Sequence, residues 1–212
     1  TVSGQDFTVA LKVDGTVWTW GYNGYGQLGL GDNSNRYKPT QLSITNVVDI
    51  AAGKNHALLV TKDGKVYSWG QNIYGQLGRD GDTLQPEEIP NLENIEKVSA
   101  GTYHSMAIDK KGFVYTWGYN GNGQLGDGTK ISNSTPNKIR LSNITKIEAG
   151  NQTSVAIDGD GNLYAWGYNG YGQLGNETKS NVLVPRKVLS LEGITDVAVE
   201  DNTIVAVNKN GE

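Results

Sequence analysis

The chain has 212 residues, with 18 basic against 22 acidic side chains, a net charge of −4 at pH 7 and no cysteine. That balance disfavours a general nucleic-acid binder, which usually carries a basic stripe to release counterions from phosphates. The missing cysteine excludes disulfides, thiolate zinc sites and cysteine nucleophiles, and no apolar run approaches the roughly 18 residues of a membrane-spanning helix.

In chain order, a strand ending at Val2 and Ser3 is followed by one at 7–11 and by the turn pair Asp14-Gly15. The segment WGYNGYGQLG at 20–29 then leads to a strand near Pro39 to Leu42. A strand over 46–52 opens the next unit, whose hairpin joins HALLV at 56–60 to KVYSW at 65–69 through Asp63-Gly64. Gly tolerates φ > 0, so Asp-Gly between two β-rich runs is a strong hairpin signal. The turn recurs as Lys111-Gly112, Asp160-Gly161 and Asn210-Gly211, and the loop segment as WGQNIYGQLG at 69–78, WGYNGNGQLG at 117–126 and WGYNGYGQLG at 166–175. Pro39, Pro86, Pro136 and Pro185 suit edge strands, because proline donates no ladder bond.

These units are one repeat. Trp20, Trp69, Trp117 and Trp166 stand 49, 48 and 49 residues apart, each preceded at 16 positions by Gly and followed at 7 by Gln27, Gln76, Gln124 or Gln173. Four antiparallel strands at this period are the pattern of a β-propeller blade. The expected fold is all-β, a partial propeller of four four-stranded blades and part of a fifth. One partial-propeller domain is expected over 1–212, with repeats at about 4–52, 53–100, 101–149 and 150–199 and a half repeat at 200–212. The strand at 203–207 duplicates the one at 7–11, so the chain reads as an excised or truncated arc whose open edges need a partner, another copy of itself or missing blades.

The order Gly-x-x-His, Asp-Gly, Val-Tyr-x-Trp-Gly and Gly-Gln-Leu-Gly resembles the regulator of chromosome condensation repeat, over essentially the whole chain. The resemblance implies a propeller, commonly of seven blades. It implies either protein binding or guanine-nucleotide exchange on a small GTPase. The namesake's exchange activity uses an inserted β-wedge, for which repeats of this length leave no room, and a basic tail, which is not visible in these residues, and no exchange residue carries over.

Several motifs have scaffold readings. Gly24-x-Gly26-x-x-Gly29 and its copies from Gly121 and Gly170 match a dinucleotide fingerprint, which Ile73 breaks in the second repeat, but that motif needs a strand turning into a helix. His56 and His104 share one repeat position, taken by Phe7, Thr153 and Thr203 elsewhere, which points to a hydrogen bond between blades rather than a ligand set. Asp158, Asp160 and Asn162 form the recurrent turn, and Asp80 and Asp82 lack the acidic twelfth position of an EF-hand, so no metal and no cofactor is expected. The tryptophans, the aromatics two positions before them (Trp18, Tyr67, Tyr115, Tyr164) and the Gly-Gln-Leu-Gly leucines read as core between blades. The glutamines read as loop braces.

The loop tyrosines Tyr22, Tyr25, Tyr74, Tyr119, Tyr168 and Tyr171 recur on one face, interleaved with Asn23, Asn120 and Asn169. Tyr with Asn and Gly is the composition of adaptable binding surfaces, so these nine residues are the candidate partner-binding set. Their packing against the next loop is the competing reading. The variable segments 30–38, 79–85, 127–135 and 176–184 are a second candidate surface. No nucleophile–base pair singles out one repeat. The expectation is a noncatalytic protein-interaction module with an unidentified protein partner. Carbohydrate binding through the Tyr/Asn loops and nucleotide exchange are the alternatives. An isoelectric point near 5.2 and Asn-rich repeats suit a bacterial surface or secreted protein.

Overall fold

The computed structural model describes residues 1–212, and every regular element in it is a strand. The first sheet holds β1 (Val2–Ser3), β2 (Phe7–Leu11), β3 (Val17–Gly21) and β4 (Arg36–Gln41). The second holds β5 (Val47–Ala52), β6 (His56–Thr61), β7 (Val66–Gly70) and β8 (Glu87–Glu88), and the third β9 (Ile95–Ala100), β10 (His104–Asp109), β11 (Val114–Gly118) and β12 (Asn133–Lys138). The fourth comprises β13 (Ile144–Ala149), β14 (Thr153–Asp158), β15 (Leu163–Gly167) and β16 (Val182–Lys187), and β17 (Ile194–Glu200) with β18 (Thr203–Asn208) forms a two-stranded sheet. Each sheet is an antiparallel meander in chain order, as the repeat predicts. The first strands β1, β5, β9, β13 and β17 contact one another in succession and line the axis.

The middle strands explain the sequence pattern. β6, β10 and β14 are buried at every residue, because each is flanked by strands on both edges and by sheets on both faces. Proline lies within β4, β12 and β16 or just before β8, all at the rim, where no further strand asks for its missing N–H. Turn glycines Gly15, Gly64, Gly112 and Gly161 take φ between 77° and 83°. Their carbonyls reach the next sheet, accepting the amides of Val47, Ile95, Ile144 and Ile194 at 2.9–3.1 Å.

The joints between sheets carry most of the long-range specificity. Trp69 Nε1 donates to the Gln27 carbonyl at 2.8 Å, Trp117 to Gln76 at 2.9 Å and Trp166 to Gln124 at 2.9 Å. All three tryptophans are fully buried, whereas Trp20, with no sheet before it, is half-buried and departs from the expected core role. Trp18, Tyr67, Tyr115 and Tyr164 are half-buried; the three tyrosines pack against the core clusters between sheets, and the hydroxyls of Tyr115 and Tyr164 reach Asp109 and Asp158 at the adjacent turns.

Histidine adds a second rail. His56 Nε2 lies 3.0 Å from Ser105 Oγ, and His104 Nε2 2.9 Å from Ser154 Oγ. Each serine hydroxyl donates onward to the Gln76 or Gln124 carbonyl at 2.8 Å, so the histidine is the donor and carries its proton on Nε2. Both rings are fully buried with Nδ1 unpartnered. Burial, helped at His56 by repulsion from His104, lowers the pKa to about 3 for His56, and burial alone lowers it to about 4 for His104. These Ser–His pairs are joints sealed from any substrate.

Two outcomes follow for solution measurements. Trp117→Ala is expected to cost about 3–5 kcal/mol in denaturant unfolding, as buried aromatic truncations do, and Trp20→Ala clearly less. A cost for Trp117→Ala below about 1 kcal/mol, the scale of an ordinary substitution, contradicts the joint assignment. Between pH 6.5 and 4 the unfolded chain protonates both histidines while the fold keeps them neutral, so stability falls as pH drops through that window. Replacing His104 with Thr, the residue at position 153, is expected to flatten the fall in Tm; an unchanged slope would remove histidine as its source.

Candidate functional site

The loops after β3, β7, β11 and β15 stand on the same face as the short connections that precede β2, β6, β10 and β14. The two sets are tied by backbone bonds from Tyr22 to Asp6, Gln71 to Asn55, Tyr119 to Tyr103 and Tyr168 to Gln152, at 2.8–2.9 Å. The glycine after each tryptophan permits this approach. At Gly21, Gly70, Gly118 and Gly167 φ is 98–110°, and a Cβ would stand 2.5–2.6 Å from those same carbonyl oxygens.

Within each loop the polar side chains turn inward. Asn23 Oδ1 accepts the Leu28 amide at 2.8 Å while its Nδ2 donates to the Asp32 carbonyl at 2.7 Å. Asn120 repeats this with Leu125 at 2.9 Å and Ile131 at 3.1 Å, and Asn169 with Leu174 at 3.0 Å and Ser180 at 3.1 Å. The glutamine Oε1 of Gln27, Gln76, Gln124 and Gln173 accepts the amide two residues before it. Asn23, Asn120 and Asn169 are each 0% exposed. The expectation that they contact a partner is therefore corrected: they staple the loop shut, because their amides supply both a donor and an acceptor to backbone that no strand satisfies.

The tyrosines turn the other way. Tyr171 is 72% exposed, Tyr25 45%, Tyr22 41% and Tyr74 38%, while Tyr119 and Tyr168 are half-buried. Tyr22, Tyr119 and Tyr168 lie over Gly24, Gly121 and Gly170, where any Cβ would overlap the ring. In the second loop both partners change together, to Gln71 and Ile73, and Ile73 stands 64% exposed. The rings form three groups. Tyr22 meets Tyr25 edge-on at 6.2 Å, Tyr168 meets Tyr171 at 5.9 Å, and Tyr74 bridges Tyr119 at 4.8 Å and Tyr103 at 5.1 Å. Lys54 Nζ sits 5.7 Å from the Tyr103 ring centre.

Tyr103, Lys54 and Ile73 were not singled out from the sequence. They occupy variable positions of the repeat, and their only signal is that variation on a face already marked by tyrosines. Tyr103 and Lys54 also rim a depression of about 650 Å³ beside the axis, lined further by Gln5, Thr102, Asn151 and Asp201. The variable segments also differ from one another. In the second, the buried Arg79 guanidinium donates to the Ser68 carbonyl at 2.6 Å and Ser68 Oγ at 3.1 Å, and pairs with Glu87 at 3.0 Å. At the sequence-flagged turn, Asp158 Oδ1 accepts the amides of Asp160 and Asn162 at 3.0 and 2.9 Å, as turn chemistry requires.

Removing one loop staple, in Asn120→Ala, is expected to cost about 1–3 kcal/mol, the penalty for stranding buried backbone groups, and to speed amide exchange at Leu125. Tyr25→Ala with Tyr171→Ala is expected to leave stability within about 0.5 kcal/mol of wild type, the usual range at exposed positions. The reverse ranking would exchange the roles of the two residue types.

Among known families, the RCC1-like domain matches residues 1–152, and the regulator of chromosome condensation (RCC1) repeat matches 144–173 and 160–207. The Arabidopsis thaliana ultraviolet-B receptor UVR8 is 37% identical over 60 residues, which are 27% of this chain and 14% of the receptor. Human WBSCR16 superposes with a TM-score of 0.89 at 26% identity, over 98% of this chain and 56% of that one. Saccharomyces cerevisiae Prp20p gives 0.84 at 26%, over 98% and 55%. The chain thus spans a little over half of these structures. With the repeat, the four-stranded sheets and the family match in agreement, this chain belongs to the RCC1-like domain family of β-propellers.

Proposed function

We propose that the chain is a noncatalytic protein-interaction module that presents the tyrosine-bearing loops of one face to a protein partner. The observation that carries this reading is the division of labour in the loops. Their asparagine amides are consumed internally, while Tyr22, Tyr25, Tyr74, Tyr171 and Ile73 project from one face on braced backbone. Large aromatics held on rigid loops supply contact area at small entropic cost, which is how interface hot spots are built. Prp20p, similar over nearly all of this chain, has been described in its binding to Gsp1p and histones, and protein binding is the property we carry across from it. A sugar site is less well supported, because Tyr103 is the only aromatic lining the depression and the remaining loop rings gather in groups outside it.

Photo-crosslinking tests the face. Benzoylphenylalanine placed at Tyr25 or Tyr171 is expected to yield discrete protein adducts, and at Asp63 or Lys111 on the opposite turns it is expected to yield none. Adducts confined to the turn face, or equal from both, would overturn the proposal.

A further inference from the structure

One joint in the middle of the chain gathers rings from two blades. In the first and fourth blades the loop carries two tyrosines, which meet edge-on within that loop. The second loop has Gln71 in place of the first ring, and the third has Asn122 in place of the second. Tyr74 and Tyr119 therefore have no ring partner in their own loops, and they meet across the joint at 4.8 Å. Tyr103, from the connection before β10, closes on Tyr74 at 5.1 Å.

The chemistry of this cluster is one-sided. Tyr115 and Tyr164 are the only tyrosines whose hydroxyls are hydrogen-bonded within the chain, so the three rings here carry free O–H groups. Lys54 Nζ lies 5.7 Å from the Tyr103 ring centre and belongs to none of the ion pairs. Exposed Ile73 adds apolar surface beside Tyr74. The amide acceptors beneath are already spent. Asn72 Oδ1 and Asn120 Oδ1 take the Leu77 and Leu125 amides, and Gln76 Oε1 takes that of Tyr74. The surface offers ring faces, hydrogen-bond donors and one positive charge, with few acceptors besides the phenols.

We propose that the Tyr74–Tyr103–Tyr119 cluster, with Lys54, binds a proline-rich partner segment in the polyproline II conformation that carries an acidic residue at one end. Proline fits each part of this surface. Its ring packs on aromatic faces, and it has no N–H to be stranded against a donor-rich surface. The polyproline II helix has no internal hydrogen bonds, so its carbonyls are free to accept from the tyrosine hydroxyls. The segment is stiff before it binds and the rings already pack on one another, so little freedom is lost on either side. The acidic residue complements the charge of Lys54. This inference rests on the loop face being the interaction face, and it names the class of partner there.

The test titrates the whole chain against a labelled peptide, Glu-Glu-Pro-Pro-Pro-Pro-Pro-Glu-Glu, read by fluorescence anisotropy; glutamates at both ends allow either orientation. Saturable binding is expected. Alanine for every proline, or lysine for every glutamate, is expected to weaken it about tenfold or more, the scale of one hot-spot contact. Tyr74→Ala removes the ring common to both contacts and is expected to do the same, whereas Tyr25→Ala on the first blade leaves affinity unchanged. Lys54→Gln is expected to abolish the preference for glutamate over lysine peptides. Absence of saturable binding, equal affinity for the proline and alanine peptides, or a loss in Tyr25→Ala as large as in Tyr74→Ala overturns the proposal. The peptide comparisons need only the unaltered protein, so they decide the question even where Tyr74→Ala lowers Tm. Failure of the peptide to bind while crosslinks form from Tyr25 or Tyr171 removes this inference and leaves the interaction face standing; crosslinks confined to the turn face remove both.

Discussion

In the second, third and fourth sheets an indole N–H reaches back to a glutamine carbonyl in the sheet before, and the rest of the architecture depends on that bond being possible. For the indole to lie flat, the last glycine of Gly-Gln-Leu-Gly must lack a Cβ, and for the carbonyl to point at it, the loop must close through Asn and Gln side chains. Trp, Gln and Gly therefore recur together because they are three parts of one contact. The Ser–His rail reinforces this contact at the two joints that have it, and the carbonyls of Gln76 and Gln124 each accept from both a tryptophan and a serine.

On the proposed reading, the same closure prepares the loop face for a partner. A loop whose amides are already satisfied by its own side chains has little left to order on binding, so the entropic cost of association falls mainly on exposed rings. Those rings differ from blade to blade: two edge-on pairs, and a three-ring cluster beside Lys54 where the second and third blades meet. The scaffold repeats while the surface does not. That arrangement lets the surface vary without altering the joints.

Blade two shows how far the surface can drift. Its loop replaces the stacked Tyr–Gly pair with Gln71 and Ile73, and its outer strand shrinks to Glu87–Glu88. The Arg79 guanidinium fills the gap, its pKa lowered by burial, with the Ser68 carbonyl and hydroxyl and Glu87 as partners. A buried charge with several partners can hold a segment that a ladder elsewhere holds by backbone alone.

The sequence by itself determined the repeat, the hairpin turns, the edge prolines and the inter-blade role of His56 and His104. Each of these is a local or periodic property: a turn needs φ > 0 at a named glycine, and a period survives any detail of packing. Only the tertiary structure decided which loop residues face outward. Tyr22 and Asn23 are adjacent and equally compatible with a binding surface, yet one projects from the face and the other is sealed beneath it. Likewise Tyr103 and Lys54 are 49 residues apart and become neighbours only because successive blades stack. Trp20 carries the same local motif as Trp69, and what separates them is the presence of a sheet in front of the indole. Exposure and neighbourhood are set by what packs against a residue, and a repeat of identical motifs does not contain that information.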